Sequence, residues 1–258
     1  DIWQILLIRS LFFIIALTAF LFLTYKKNTI NIIKKSGFPA IVAGLFLSLS
    51  FVAYVVAMSK TTVANVVFII STQTIFLALF GFLFLKEKIT FKGLIAITLA
   101  FVGMLVMVGD SINQGTLFGN IVAFAIPINF TILVMIIRKF PDLDMVPAIF
   151  YSGIFSGIYG LLLASNLTFS SNDILMGFLL GVPQLAFGFI CVTIGTKTTK
   201  AVTVGLLMLL ETIFAPIWVW IFLNEVPPIS VFMGGAIIIS AVILKSFDKS
   251  LKISDKNN

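Results

Sequence analysis

The stretch FVAYVVAMSKTTVANVVFIISTQTIFLALFGFLFLKEKI, residues 51–89, lies without a gap on FICVTIGTKTTKAVTVGLLMLLETIFAPIWVWIFLNEVP, residues 189–227, at an offset of 138. Nine of the 39 positions are identical. Gln73-Thr74-Ile75-Phe76 falls on Glu211-Thr212-Ile213-Phe214, and Phe84-Leu85-Lys86-Glu87 on Phe222-Leu223-Asn224-Glu225. Apolar composition inflates such identity, so the register of the surrounding apolar runs carries more weight. Working outward, the chain reads as nine spans of roughly the 20 residues a bilayer-crossing helix needs: 2–24, 38–59, 63–85, 92–109, 116–137, 145–164, 174–194, 201–223 and 230–247. The same offset brings the first four spans onto the sixth to ninth. Each pair is five spans apart, an odd number, so the copies have opposite orientation. That is an inverted-topology repeat, a transporter architecture.

Composition agrees. Of 258 residues, 60% are hydrophobic and 10% charged, with mean hydropathy +1.18. Soluble domains hold about 25% charged residues, so the fold class is an all-α polytopic membrane protein with short loops. There is no histidine and one cysteine, Cys191. His-based metal sites and Ser-His or Cys-His catalysis lack their essential group, and no cofactor, metal or catalytic residue is expected. An intramembrane aspartyl protease would need two aspartates at depth, and Asp110, Asp142, Asp144 and Asp173 all fall at span ends.

The net charge of +7 is topological. Fifteen of the 17 basic residues lie in alternate loops and the tail, from Lys26 and Lys27 to Lys252 and Lys256. By the positive-inside rule the C-terminus is cytoplasmic and Asp1 outside. Nucleic acid is therefore no partner. The expected partners are a small-molecule substrate and the lipid bilayer, and a homodimer is compatible with the reading. Asp1 runs directly into a span, so no cleavable signal peptide is expected. The fifth span has no mate, and the reading is of a five-plus-five protein lacking its first helix. Residues 1–110 form the first repeat, 115–248 the second, and 249–258 a cytoplasmic tail.

The residues Val63-Ala64-Asn65, Phe84 through Thr90, Gly93 and Gly103 resemble the EamA family of the drug/metabolite transporter superfamily. So do Leu209-Leu210-Glu211-Thr212, Phe222 through Glu225 and Gly234-Gly235 in the second copy. The resemblance covers nearly the whole chain. It implies a ten-helix bundle around a central cavity, moving metabolites or drugs by alternating access. Lys86 and Asn224 stand where the family usually has glycine. Thr212 stands where proline often follows the intramembrane glutamate, with Pro216 four residues on.

Glu211, about 15 Å into its span, is an acidic residue at the midplane and a functional candidate by default. It either binds a cationic or amine-bearing substrate, carries a coupling proton, or forms a buried structural pair. Its expected charged partner is Arg9, about 10 Å below the outer end of the first span and at a position where the family tends to carry arginine. Gln73, the repeat mate of Glu211, is flanked by Ser71, Thr72 and Thr74 and either binds substrate or joins helices. Asn129 and Gln184 sit beside Pro127 and Pro183, whose missing amide donors break helices that can line a cavity. Tyr54, Tyr151, Trp218 and Trp220 either stack on a ligand or anchor at the interface, and Trp218, the deepest of them, is the candidate. Asn65, Thr203, Glu87 and Glu225 read as caps and turn residues. Ser152, Gly153, Ser156, Gly157 and Gly160 read as a small-residue packing face. The function expected is secondary transport of an amino-acid-like, amine or drug-like solute across the cytoplasmic (inner) membrane, with proton coupling compatible. A channel or a non-transporting scaffold is the alternative.

Overall fold

The computed structural model describes residues 1–108, 116–224, 226 and 228–247; ten side chains within these helices, including Trp218, are not described. The Trp218 side chain, Asp110, Glu225 and the tail at 249–258 thus lie outside the described residues. All described regular structure is helical. The helices are α1 Ile2–Tyr25, α2 Thr29–Lys60, α3 Val63–Ser71, α4 Gln73–Leu85, α5 Phe91–Val108, α6 Leu117–Lys139, α7 Val146–Leu163, α8 Ser171–Leu179, α9 Phe187–Thr196, α10 Ala201–Leu223 and α11 Ile229–Ser246. Five helical stretches among the described residues are long and apolar enough to cross a membrane, and shorter apolar helices accompany them.

Three of the expected spans are more complicated than uniform rods. Helix α2 starts well before residue 38 and bends at Gly37, whose φ of +55° only glycine adopts without cost. The span at 63–85 is two helices meeting at Thr72. There the Ser71 and Thr72 hydroxyls donate back to the carbonyls of Phe68 and Ile69, both at 2.6 Å, in competition with the helix ladder. The span at 174–194 contains a π-helical turn, Leu180–Ala186, between α8 and α9. Pro183 within it has no N–H to continue the α pattern.

Two compact units form, each discontinuous in sequence: Asp1–Ser59 with Ile132–Lys197, and Lys60–Thr131 with Thr198–Asn258. The first is built around α1. Leu6, Phe13, Leu17 and Leu21, spaced to share one face, are at most 1% exposed. Small residues let α7 approach that helix. A side chain at Gly160 would meet the backbone of Leu7, and one at Gly153 would meet Phe13 and Ile14. Between them the buried Ser10 and Ser156 hydroxyls share a 2.8 Å hydrogen bond. The small-residue face read from the sequence is this contact. On another side of α1, Gly177 lies against Ile8, and Gly181 against the Arg9 carbonyl and Phe12. Phe13, Phe51 and Phe189 stack edge to face. At the C-terminal end of α1, Tyr25 donates to Asp144, which also accepts from the Val146 N–H opening α7.

The second unit rests on α5 against α11. Ala96, Ala100, Met104, Ile238 and Ala241 are at most 1% exposed, with Leu206 and Leu209 of α10 packed into the same core. Gly103 and Gly234 bring the two backbones together. On α4, the Thr74 hydroxyl donates to the Gly205 carbonyl of α10 at 3.1 Å. Glu87 finds its donor at the start of α10, accepting from Ala201 N–H at 3.1 Å, where the helix dipole favours a carboxylate. Thr90 provides the cap for α5. Asn65 is not itself a cap. Thr62 caps α3, and the Asn65 amide donates to Thr61 and Asn120, tying the α2–α3 turn to the start of α6.

Lys86 and Asn224, mates at the 138 offset, end α4 and α10 in the same left-handed conformation, φ 53° and 56°. That conformation explains a glycine preference at this turn. Lys86→Gly should therefore raise the midpoint of thermal unfolding in detergent, by up to about 1 kcal/mol of stability. Asn224→Gly should gain less, because asparagine tolerates the left-handed region.

Candidate functional site

The six residues singled out from the sequence divide between the units. Arg9 and Gln184 belong to the first; Gln73, Asn129, Glu211 and Trp218 belong to the second.

Glu211 lies ten residues into α10. Leu206, Leu209 and Ile213 point into the α5–α10–α11 core, and helical periodicity turns residue 211 to the opposite face, where its side chain is exposed. A carboxylate there lies off the hydrophobic core of its own unit. Gln73 opens α4 immediately after the Thr72 break and is buried at 5% exposure, as is Ser71. Ser71, Thr74, Ile97, Ala100 and Leu209 surround a void of about 10 Å³. The break thus concentrates hydroxyls and an amide at one level of the second unit. Asn129 is half-buried on α6, two residues past Pro127, whose carbonyl accepts from Thr131 at 2.7 Å.

In the first unit, Arg9 is 6% exposed, and its Nε and Nη2 find no hydrogen-bond partner among the described residues. The guanidinium carbon sits 5.4 Å from the centre of the Phe51 ring, and Tyr54, one turn further along α2, lies within electrostatic range. Cation–π contact contributes about 0.5–2 kcal/mol. Desolvating an ion costs several kcal/mol, so Phe51 does not compensate the burial. Gln184, by contrast, is exposed on the π turn. The buried positions of that turn are Gly181 and Ala186, with Gly181 against the backbone of Arg9. A groove of about 340 Å³ runs between the start of α1 and α8, with Gln4 and Asp173 beside Ile8 and Gly177.

Sequence reasoning found the polar residues and missed their apolar companions. Phe51 was the aromatic missed, and its signal was its place three residues before Tyr54, which already read as a stacking residue or an interface anchor. Gly181 carried none, because its role depends on which helix passes beside it.

The family model for the EamA-like transporter family matches residues 1–109 and again 117–247. An uncharacterized transporter of Methanothermobacter thermautotrophicus is 28% identical over 209 residues, 74% of this chain and 59% of that protein. An uncharacterized transporter of Synechocystis sp. is 26% identical over 222 residues, 78% of this chain and 62% of that protein. The chain thus spans about 60% of the length of these relatives. A crystal structure with a TM-score of 0.80 and 15% identity covers 93% of this chain and 86% of its own, a likeness of fold alone. With two matched segments spanning nearly all of its residues, the chain belongs to the EamA-like transporter family.

Proposed function

We propose that the protein is a secondary transporter of a small organic solute, amino-acid-like, amine or drug-like, working by alternating access. Glu211 acts as substrate ligand or proton carrier. The observation that carries this reading is the exposed carboxylate in the middle of an apolar helix, turned away from the core of its own unit. Hydrocarbon is too costly a surrounding for such a group, so it belongs to a polar path. Gln73 at the α3–α4 break, Asn129 beside Pro127, Gln184 on the π turn, Arg9 and Trp218 are the further residues proposed to bind substrate or take part in coupling. Interrupted helices supply the polar backbone such a path uses.

The architecture proposed with it is nine spans of an inverted five-plus-five repeat, residues 1–110 and 115–248, in the cytoplasmic membrane with the C-terminus inside. The matched turns at Lys86 and Asn224 support it. So does the α5–α11 contact. The 138 offset carries the apposed Gly103 and Gly234 onto Ala241 and Ala96, both fully buried small residues of the same interface. Counterflow in proteoliposomes tests the function. Vesicles preloaded with amino acids, amines or nucleosides should accumulate the matching labelled solute transiently and with saturation. Flux that rises linearly without counterflow would identify a channel and sink the carrier reading.

A further inference from the structure

We infer that Arg9 is an oxyanion receptor and that the transported solute carries a carboxylate, a refinement that rests on the transporter reading above. Arg9 is 94% buried by its 6% exposure, and both Nε and Nη2 are enclosed without an acceptor among the described residues. The acidic residues of its own unit are occupied elsewhere or stand at helix ends. Asp1 accepts from Ser165, Asp144 from Tyr25 and Val146, and Asp173 from Ser170, while Asp142 lies in the turn before α7. The neighbours it does have are Phe51 beneath the guanidinium and Tyr54 one turn on.

A planar fork of N–H donors buried against an aromatic ring is the complement of a carboxylate, which accepts two parallel hydrogen bonds from it. An uncharged ligand would leave the positive charge uncompensated. A solute bearing only an amine would be repelled. An acid or a zwitterion fits, its carboxylate on Arg9 and its apolar part against the Phe51–Tyr54 face. Lysine would present a point charge and lose the bidentate geometry.

The chain holds only two arginines, Arg9 and Arg138, so nitrogen-15 labelling of arginine side chains gives two Nε resonances, and Arg9→Lys assigns them by deletion. In phosphatidylcholine nanodiscs, benzoate and L-phenylalanine should each move the Arg9 resonance saturably and leave Arg138 in place. Benzamide, lacking the charge, should bind at least about tenfold more weakly. The inference is overturned if the Arg9 resonance ignores both carboxylates, or follows benzamide equally. It is also overturned if the resonance moves on adding phosphatidylglycerol alone, which would assign the anion to a lipid headgroup. The readout requires no flux. Failed counterflow with a responsive Arg9 would sink the transporter reading and leave Arg9 as a carboxylate site without a transported solute; active counterflow with a silent Arg9 would sink this inference alone.

Discussion

Glu211→Gln should reduce pH-gradient-driven uptake in proteoliposomes to the background of protein-free vesicles, with no loss of fold. The amide has the size and shape of the acid, so packing is unchanged. The side chain is exposed and off the core of its unit, so stability should stay within about 0.5 kcal/mol, measurable as the thermal midpoint in detergent. What the amide removes is a negative charge and a site for a proton. These two losses separate experimentally. If Glu211 only carries the coupling proton, solute exchange persists in the variant while the gradient no longer drives accumulation. If Glu211 also holds a cationic part of the solute, exchange is lost too, and ligand-induced thermal stabilisation vanishes with it. A ligand at about 100 times its dissociation constant adds roughly 2.7 kcal/mol to the folded state, so its disappearance is easily read. A variant that still accumulates solute down a pH gradient would remove Glu211 from the mechanism.

The second large effect concerns the fold. Gly234→Val should destabilise the protein by about 3 kcal/mol or more, because a side chain there meets the Gly103 carbonyl and Met107 of α5 in a contact made of backbone. Backbone cannot rotate aside as a flexible side chain can. The adjacent Gly235 provides the control. A Cβ at that position finds its nearest neighbour, Ile213 Cγ2, at 3.5 Å, so Gly235→Ala should be nearly neutral. Thermal unfolding of the two variants side by side tests the assignment. Equal midpoints would mean that α5 and α11 do not meet through Gly234.

Much of this architecture was legible in the chain. Helix formation in an apolar environment is decided locally: each backbone donor finds its acceptor four residues away, and side chains have only to be apolar. The apolar runs therefore marked the helices closely, and the 201–223 run matches α10 to the residue. The breaks were half-visible. Pro183 announced an interruption but not its form, a π turn over Leu180–Ala186 with Gly181 and Ala186 buried. The Thr72 break had only its hydroxyls as a signal.

Composition and local pattern were enough for the helical class, the two copies of the unit, the family and the identity of the polar residues carried within apolar helices. These are properties of composition and short-range order. Which polar residues are satisfied depended on contacts between segments far apart in the chain. Ser10 and Asn65 found partners 146 and 55 residues away. Glu87 found one at the start of a helix 114 residues on. Arg9 was enclosed against Phe51 with its Nε and Nη2 left open. A hydrogen bond or a packing contact between distant segments depends on distances that no periodicity encodes. The same arginine would have been a structural anchor had a carboxylate of its own unit come within reach.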